Sequence, residues 1–446
     1  MFKNSYRRLM NNKFWKSVFT LSSGQIIAQI INFMSIPFVS RIYTKEQFGF
    51  FGIISSTGII ILTIIKLGIG PAIMVPKSDE ESKKILKVGI YIQVFFSIFI
   101  MLFMAVLGPY FKFFSTTVDY NTALLLLFLY ILLSMLSTYL TLYINRMGLN
   151  RVFFVNSLIS AITTVVVTIP LGLMKIKFGL LIGTLVSLTI ANLHMLKRVN
   201  PFRGGFKLQY IKEVFVKYKN YVIYQYPANL MTTLSDQLPN LIINQNFSAA
   251  SLGDYTQLNK VFKMPFAVLA TPIQTIYFRT VTQMHREEKD IYPFTISLIR
   301  RMMLVAFLPI LVVMVFGEYI FSFVLGSQWR FVGTLSAVFA LSFLFAFVSE
   351  CIAYCRIAIG RQRLNLFMSV LDFIIIIGSL VLGLLVFKSL FWVLFIFAIA
   401  NTAWQIINIT ATIGALGKKV WPFLVFSLGS ALIIAALAIF LRSFVY

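Results

Sequence analysis

Apolar residues fall in blocks, separated by short polar or basic stretches, and the blocks recur from one end of the chain to the other. A bilayer-crossing helix needs ~18 to 20 predominantly apolar residues. Runs of about that length are predicted at 17–40, 48–69, 88–107, 121–143, 152–174, 178–196, 221–244, 255–278, 297–316, 331–354, 364–387, 389–413 and 421–441, thirteen in all. The first follows Lys3, Arg7, Arg8 and Lys13, as a secretory signal would. It is too long for a signal core and has no small-residue cleavage site, so it is expected to stay as the first span.

Polar residues inside these blocks keep a helical spacing. Ser22, Gln25, Gln29 and Asn32 lie 3, 4 and 3 residues apart, and Asn229, Thr232, Asp236 and Asn240 lie 3, 4 and 4 apart. Each set therefore forms one stripe on one helix. A polar stripe in lipid is costly unless it faces protein or a water-filled space, so two readings stand: hydrogen bonding between packed helices, or the lining of a pathway.

Composition removes the soluble alternatives. Of 446 residues 59% are apolar and 12% charged, with a mean hydropathy of +0.88, whereas soluble domains carry about 25% charged residues. Lys and Arg number 39 against 14 Asp and Glu, a formal charge of +25, which suits either a nucleic-acid partner or a polytopic membrane protein with basic loops. The placement of the charge decides between them. With the N-terminus in the cytoplasm, 28 Lys and Arg fall in segments on that side, 8 on the other, and 3 inside spans. That is the positive-inside bias of a membrane protein. A nucleic-acid binder would gather its charge on one face, so no nucleic-acid partner is expected.

The two halves match each other. Arg146 to Arg151 (RMGLNR) recurs as Arg356 to Arg361 (RIAIGR) at an offset of 210, and Gly108-Pro-Tyr110 as Gly317-Glu-Tyr319 at 209. Pro37 pairs with Pro239 at 202, and Phe48-Gly49-Phe-Phe51 with Leu252-Gly253-Asp-Tyr255 at 204. Four weak matches in order, at nearly constant offset, point to two copies of a six-helix unit with the same orientation. The expected organisation is a cytoplasmic N-terminus (1–16), an N-terminal six-helix bundle (17–196), a basic cytoplasmic linker (197–220), a C-terminal six-helix bundle (221–413) and an additional C-terminal helix (421–441). The fold class is all-α and polytopic, two parallel bundles around a central cavity.

Ionisable residues inside spans are few: Lys66, Lys260, Lys263, Asp236, Glu350 and Asp372. Lys66, Lys260 and Lys263 either line a pathway or snorkel to the headgroups, and Glu350 and Asp372 either serve function or pair with Arg356, Arg361 or Arg363. Cys351 and Cys355, one turn apart in an apolar stretch, behave as small apolar residues. There is no HExxH, no Walker A sequence, no paired metal ligands, and no outer loop long enough to hold a catalytic domain. No enzyme activity, metal or cofactor is expected.

Several stretches carry a resemblance. Ile36 to Gly52 (IPFVSRIYTKEQFGFFG) resembles the signature around the first two helices of Wzx-type polysaccharide flippases, a branch of the multidrug/oligosaccharidyl-lipid/polysaccharide exporter superfamily. Val75 to Ser82 (VPKSDEES) is similar to the acidic loop after their second helix, Tyr218 to Ile243 to their seventh helix, and Leu325 to Trp329 (LGSQW) to a short motif before the tenth. The likeness runs in order from about residue 17 to 415.

The resemblance implies a cationic cavity, alternating access, and a polyprenyl-diphosphate-linked glycan as substrate, here an undecaprenyl-linked repeat unit of O-antigen, capsule or exopolysaccharide. It also implies a bacterial cytoplasmic membrane location, surrounding membrane lipids, and a polysaccharide polymerase and chain-length machinery as partners. Members commonly have twelve or fourteen helices, so thirteen departs from the pattern. The pathway residues expected on this reading are Gln25, Gln29, Asn32, Arg41, Lys66, Asn229, Asp236, Asn240, Lys260 and Lys263. A lipid II flippase and a small-molecule or drug antiporter of the same superfamily are the alternatives, although the first helix lacks the carboxylate many such antiporters use. A membrane glycosyltransferase or polymerase would need a long acidic outer loop, and none is present.

Overall fold

The computed structural model describes residues 14–74, 76, 78–111, 119–201, 205, 207–218 and 226–444, and their side chains from residue 24 onward except at 71, 107–111, 150, 265 and 267. The N-terminal segment 1–13, Ser22's side chain, and parts of the acidic loop and of the basic linker lie outside the described residues. The described residues form helices and connecting turns, with no strand among them.

The helices are α1 (Phe14–Ile42), α2 (Lys45–Lys66), α3 (Asp79–Phe111), α4 (Tyr120–Arg146), α5 (Asn150–Leu173), α6 (Gly179–Arg198) and the short α7 (Gln209–Lys217). They continue with α8 (Tyr226–Asn246), α9 (Ala249–Pro265), α10 (Thr271–Arg286), α11 (Tyr292–Leu325), α12 (Arg330–Cys351), the one-turn α13 (Cys355–Ala358), α14 (Gln362–Val386), α15 (Leu390–Ala415) and α16 (Trp421–Arg442). Each of the thirteen expected spans corresponds to a helical run, the last of them, 421–441, to α16. Twelve runs among the described residues are long and apolar enough to cross a membrane. The exception is α8, 21 residues long but too polar to qualify. The protein is an all-helical polytopic membrane protein.

Local chemistry sets the boundaries. Thr44 and Gln47 form a capping box that starts α2, and Leu67 in a left-handed conformation, followed by Gly68 at φ 70°, ends it; such caps satisfy backbone groups the helix leaves open. Asp119 accepts from the Thr122 amide to start α4. Between α9 and α10, residues Phe266–Ala270 form a π-turn ahead of Pro272 in the first turn of α10. Proline lacks the amide that would close the preceding turn, so the predicted 255–278 span is two helices joined by a wide turn.

The chain divides into two compact units, one of residues 27–256 and one of residues 257–446 with the start of α1. In the first, α2 packs against α8 and α4, α5 pairs with α6, and Ile54, Leu62, Ile65, Leu127, Ile131, Tyr139 and Leu140 are buried. In the second, α12 is the central helix, covered by α11 and α15, with Trp329, Phe345, Val348, Val393 and Leu394 buried. Packing thus places α8 with the first unit, although the repeat pattern begins its second copy there; the reason is a set of polar contacts to α2 described below.

The matched arginines both act as anchors. Arg146 donates to the carbonyls of Met74 and Ser78 and to Asp79, tying the end of α4 to the turn before α3. Arg356 is buried, donates to Asn408, Thr412 and Asn365, and makes no ion pair among the described residues. Glu350 instead accepts from Gln274 Nε2 at 2.9 Å.

Candidate functional site

The site is built on the antiparallel pair α2 and α8. Tyr226 Oη donates to the Ile64 carbonyl at 3.0 Å, Thr63 Oγ1 donates to Thr233 Oγ1 at 3.3 Å, and Asn240 Nδ2 donates to Ser56 Oγ at 2.7 Å. These contacts hold the two helices side by side over four turns of α8. At 3.6 residues per turn, Asn229, Thr232, Asp236 and Asn240 lie within about 80° of one face. Asn240 sits at the edge facing α2, whereas Asn229, Thr232 and Asp236 are exposed.

What α8 exposes sets it apart from the helices with apolar outer faces, although α9 and α10 also expose only polar side chains among those described and α12 exposes only Arg330. Its exposed side chains are Asn229, Thr232, Asp236, Gln245 and Asn246, and no large apolar side chain on it is exposed. By contrast α11 exposes Leu304, Leu308 and Phe323, and α14 exposes Phe367, Ile374 and Leu385, as lipid-facing helices must. Several hydrogen-bonding groups in hydrocarbon would each cost several kcal/mol. The open face of α8 is therefore suited to water or a polar ligand and unsuited to lipid.

Helix α1 repeats the pattern more weakly. Gln25 is exposed, Gln29 and Asn32 are half-buried, and the three lie within about 60° of one another. Ile27, Ile30, Met34 and Phe38, all exposed, occupy the opposite side, so the polar stripe continues the direction in which Ala28, Ile36 and Val39 are buried. Arg41 is exposed in the last turn of α1, and Lys66 is half-buried in the last turn of α2, at the level of Asn229 in the antiparallel register. Lys260 and Lys263, in the unit that begins at 257, are both exposed on the last turns of α9.

The structure thus brings together Asn229, Asp236, Asn240 and Lys66 on the α2 and α8 pair. Gln25, Gln29 and Asn32 sit on a separate helix, and Lys260 and Lys263 belong to the other unit. Sequence reasoning did not single out Ser56, Thr63, Thr233 or Tyr226, the residues that fix α8 to α2. It also did not pair Lys45 with Asp254, whose atoms approach to 2.8 Å. Ser56 and Thr63 are isolated hydroxyls in an apolar run, which carry no periodic signal. Lys45 and Asp254 are 209 residues apart, one of them inside a duplicated motif where only the glycine stood out.

The helical architecture, with a spanning-length polar helix set among apolar ones, is that of an all-helical polytopic membrane fold. A structure of the lipid II flippase MurJ in an inward closed conformation superimposes with a TM-score of 0.66 at 12% identity, covering 96% of this chain and 100% of that one. An inward-facing multidrug resistance MATE transporter of the MOP superfamily gives 0.63 at 13% identity, covering 88% of this chain and 96% of that one. The chain belongs to the family described as "Polysaccharide biosynthesis protein", which matches residues 38–334, and it shares its fold with the two proteins just named. No curated protein matches the sequence.

Proposed function

We propose that this protein is a flippase that carries undecaprenyl-diphosphate-linked oligosaccharide repeat units of O-antigen, capsule or exopolysaccharide across the bacterial cytoplasmic membrane by alternating access, with its N-terminus in the cytoplasm. The observation that carries the reading is α8, a helix of spanning length whose exposed side chains are all polar. Family membership supplies the link to polysaccharide, and the bias of basic residues in alternate loops supports the orientation.

The chemistry fits this cargo. Each buried, unpaired hydroxyl costs several kcal/mol, so a repeat unit with about ten of them does not cross hydrocarbon unaided. Asn229, Thr232 and Asp236 offer donors and acceptors to sugar hydroxyls, while the polyprenyl tail stays in lipid. Arg41, Lys66, Lys260 and Lys263 offset desolvation of the diphosphate. No bond is broken, so the protein acts as a transporter and not as an enzyme. The polymerase and chain-length machinery receive the cargo on the outer side.

Deleting the gene tests this directly. The expected result is loss of surface polysaccharide together with accumulation of the lipid-linked repeat unit on the cytoplasmic face. Arrested peptidoglycan synthesis would point to lipid II, and altered drug tolerance with normal polysaccharide to an antiporter.

A further inference from the structure

Within the unit of residues 27–256, the first turns of α2 and α9 cross at a separation only glycine permits. A Cβ on Gly49 would stand 1.9 Å from the Ala249 carbonyl oxygen, and one on Gly253 would stand 2.0 Å from the Lys45 carbonyl oxygen. Lys45 and Ala249 are the first residues of α2 and α9 and are themselves related by the 204-residue offset that relates Gly49 to Gly253. A Cβ on Gly52 would meet Thr256 Oγ1, its own counterpart at the same offset, at 2.5 Å. When i meets the counterpart of j and j meets the counterpart of i, the contact is self-complementary, as at a two-fold axis.

An ion pair breaks this symmetry. Lys45 Nζ lies 2.8 Å from Asp254 Oδ1 and donates to Oδ2 at 3.1 Å, with the Asp254 side chain only 7% exposed. The counterparts of these two positions are Ala249 and Phe50, so a second pair is not formed. Buried ion pairs add little net stability, because desolvation offsets the attraction. Thr256 Oγ1 is buried with no hydrogen-bond partner among the described residues, which also carries a cost. The crossing is therefore close in shape but carries polar groups at its seam, and water admitted by its separation would resolvate the lysine, the aspartate and the hydroxyl.

We propose that this crossing is a reversible clasp closing the end of the translocation pathway at the N-termini of α2 and α9, latched by Lys45 and Asp254 and made possible by Gly49 and Gly253. The assignment rests on the flippase reading, and the orientation given there puts the clasp on the outer face. Glycine sets how close the helices come; the ion pair sets how readily they part.

The test uses a reporter cysteine, Thr232→Cys on α8, in full-length protein with Cys351 and Cys355 replaced by alanine. Intact cells are treated with a membrane-impermeant maleimide. Labelling should be weak in this parent and rise at least threefold when Gly49→Leu, Gly253→Leu or Lys45→Asp is added, and the charge-swapped Lys45→Asp with Asp254→Lys should return it towards the parent level. In a separate pair, Lys45→Cys with Asp254→Cys, a short reducible cross-linker should stop polysaccharide export and reduction should restore it. Strong labelling of the parent, no change in any of the three variants, or full export by the cross-linked protein would overturn the clasp. Labelling that responds as expected in cells whose polysaccharide is indifferent to the protein would sink the cargo assignment and leave the clasp standing.

Discussion

Asn240 of α8 donates to the Ser56 hydroxyl of α2 at 2.7 Å, while Asp236, one turn earlier on the same stripe, is exposed. The residue at the edge of the stripe bonds to a neighbouring helix, and Asn229, Thr232 and Asp236 are exposed.

The bonded end gives a stability prediction. Ser56→Ala leaves the Asn240 amide buried without this partner and should lower stability by about 1 to 3 kcal/mol. Replacing both, Ser56→Ala with Asn240→Leu, removes the unsatisfied group and should recover most of the loss. Thermal unfolding of the detergent-solubilised variants reads both, and simple additivity of the two changes would contradict the account.

The exposed end gives a transport prediction. Asp236→Asn keeps the shape and removes the charge, so export should fall severalfold while membrane abundance and unfolding temperature stay near wild type. Unchanged export at native expression would reduce Asp236 to a packing residue.

Charge should matter more than shape at Lys66, Lys260, Lys263 and Arg41. A close charge pair at an effective dielectric near 20 is worth on the order of 4 kcal/mol before desolvation, ample for more than tenfold in rate. Lys→Arg should retain much of the export and Lys→Gln should lose it, as should Arg41→Gln, with surface polysaccharide normalised to protein level as the measure. If all four glutamine variants export normally, these side chains only reach the headgroups.

Reporter fusions test orientation. The segment 197–220 holds seven basic residues, whereas the turn between α8 and α9 holds none. A reporter after Lys207 should stay cytoplasmic and one after Ser248 should be exported. The reverse result would invert the assigned topology, and with it the side on which the clasp lies.

The spans were legible because a bilayer demands long apolar runs, and little else in a sequence looks like one. Even α8 was included, as one of the runs of spanning length at 221–244, although it is too polar to pass on hydropathy. The stripe on α8 was legible because spacing survives in one dimension. What was not legible depends on approach between distant segments. Nothing local marks Ser56 as the partner of Asn240, or Lys45 as the partner of Asp254. Gly49 and Gly253 were noticed as a repeated motif, but that the two copies press against each other is a fact of the fold. The break at Phe266–Ala270 was also hidden, because a proline in an apolar run signals a kink without saying how wide a turn absorbs it.

The central claim is that the protein itself moves a diphosphate-linked glycan across a bilayer. Its most direct measurement places purified protein in liposomes carrying a fluorescent undecaprenyl-diphosphate-linked repeat unit and follows loss of the glycan's protection from an external reductant that quenches the label. The account predicts that wild type exposes the inner-leaflet pool many times faster than empty liposomes, and that Asp236→Asn at equal reconstitution slows it severalfold. A wild-type rate equal to that of empty liposomes, with protein shown to be folded and inserted, would contradict it.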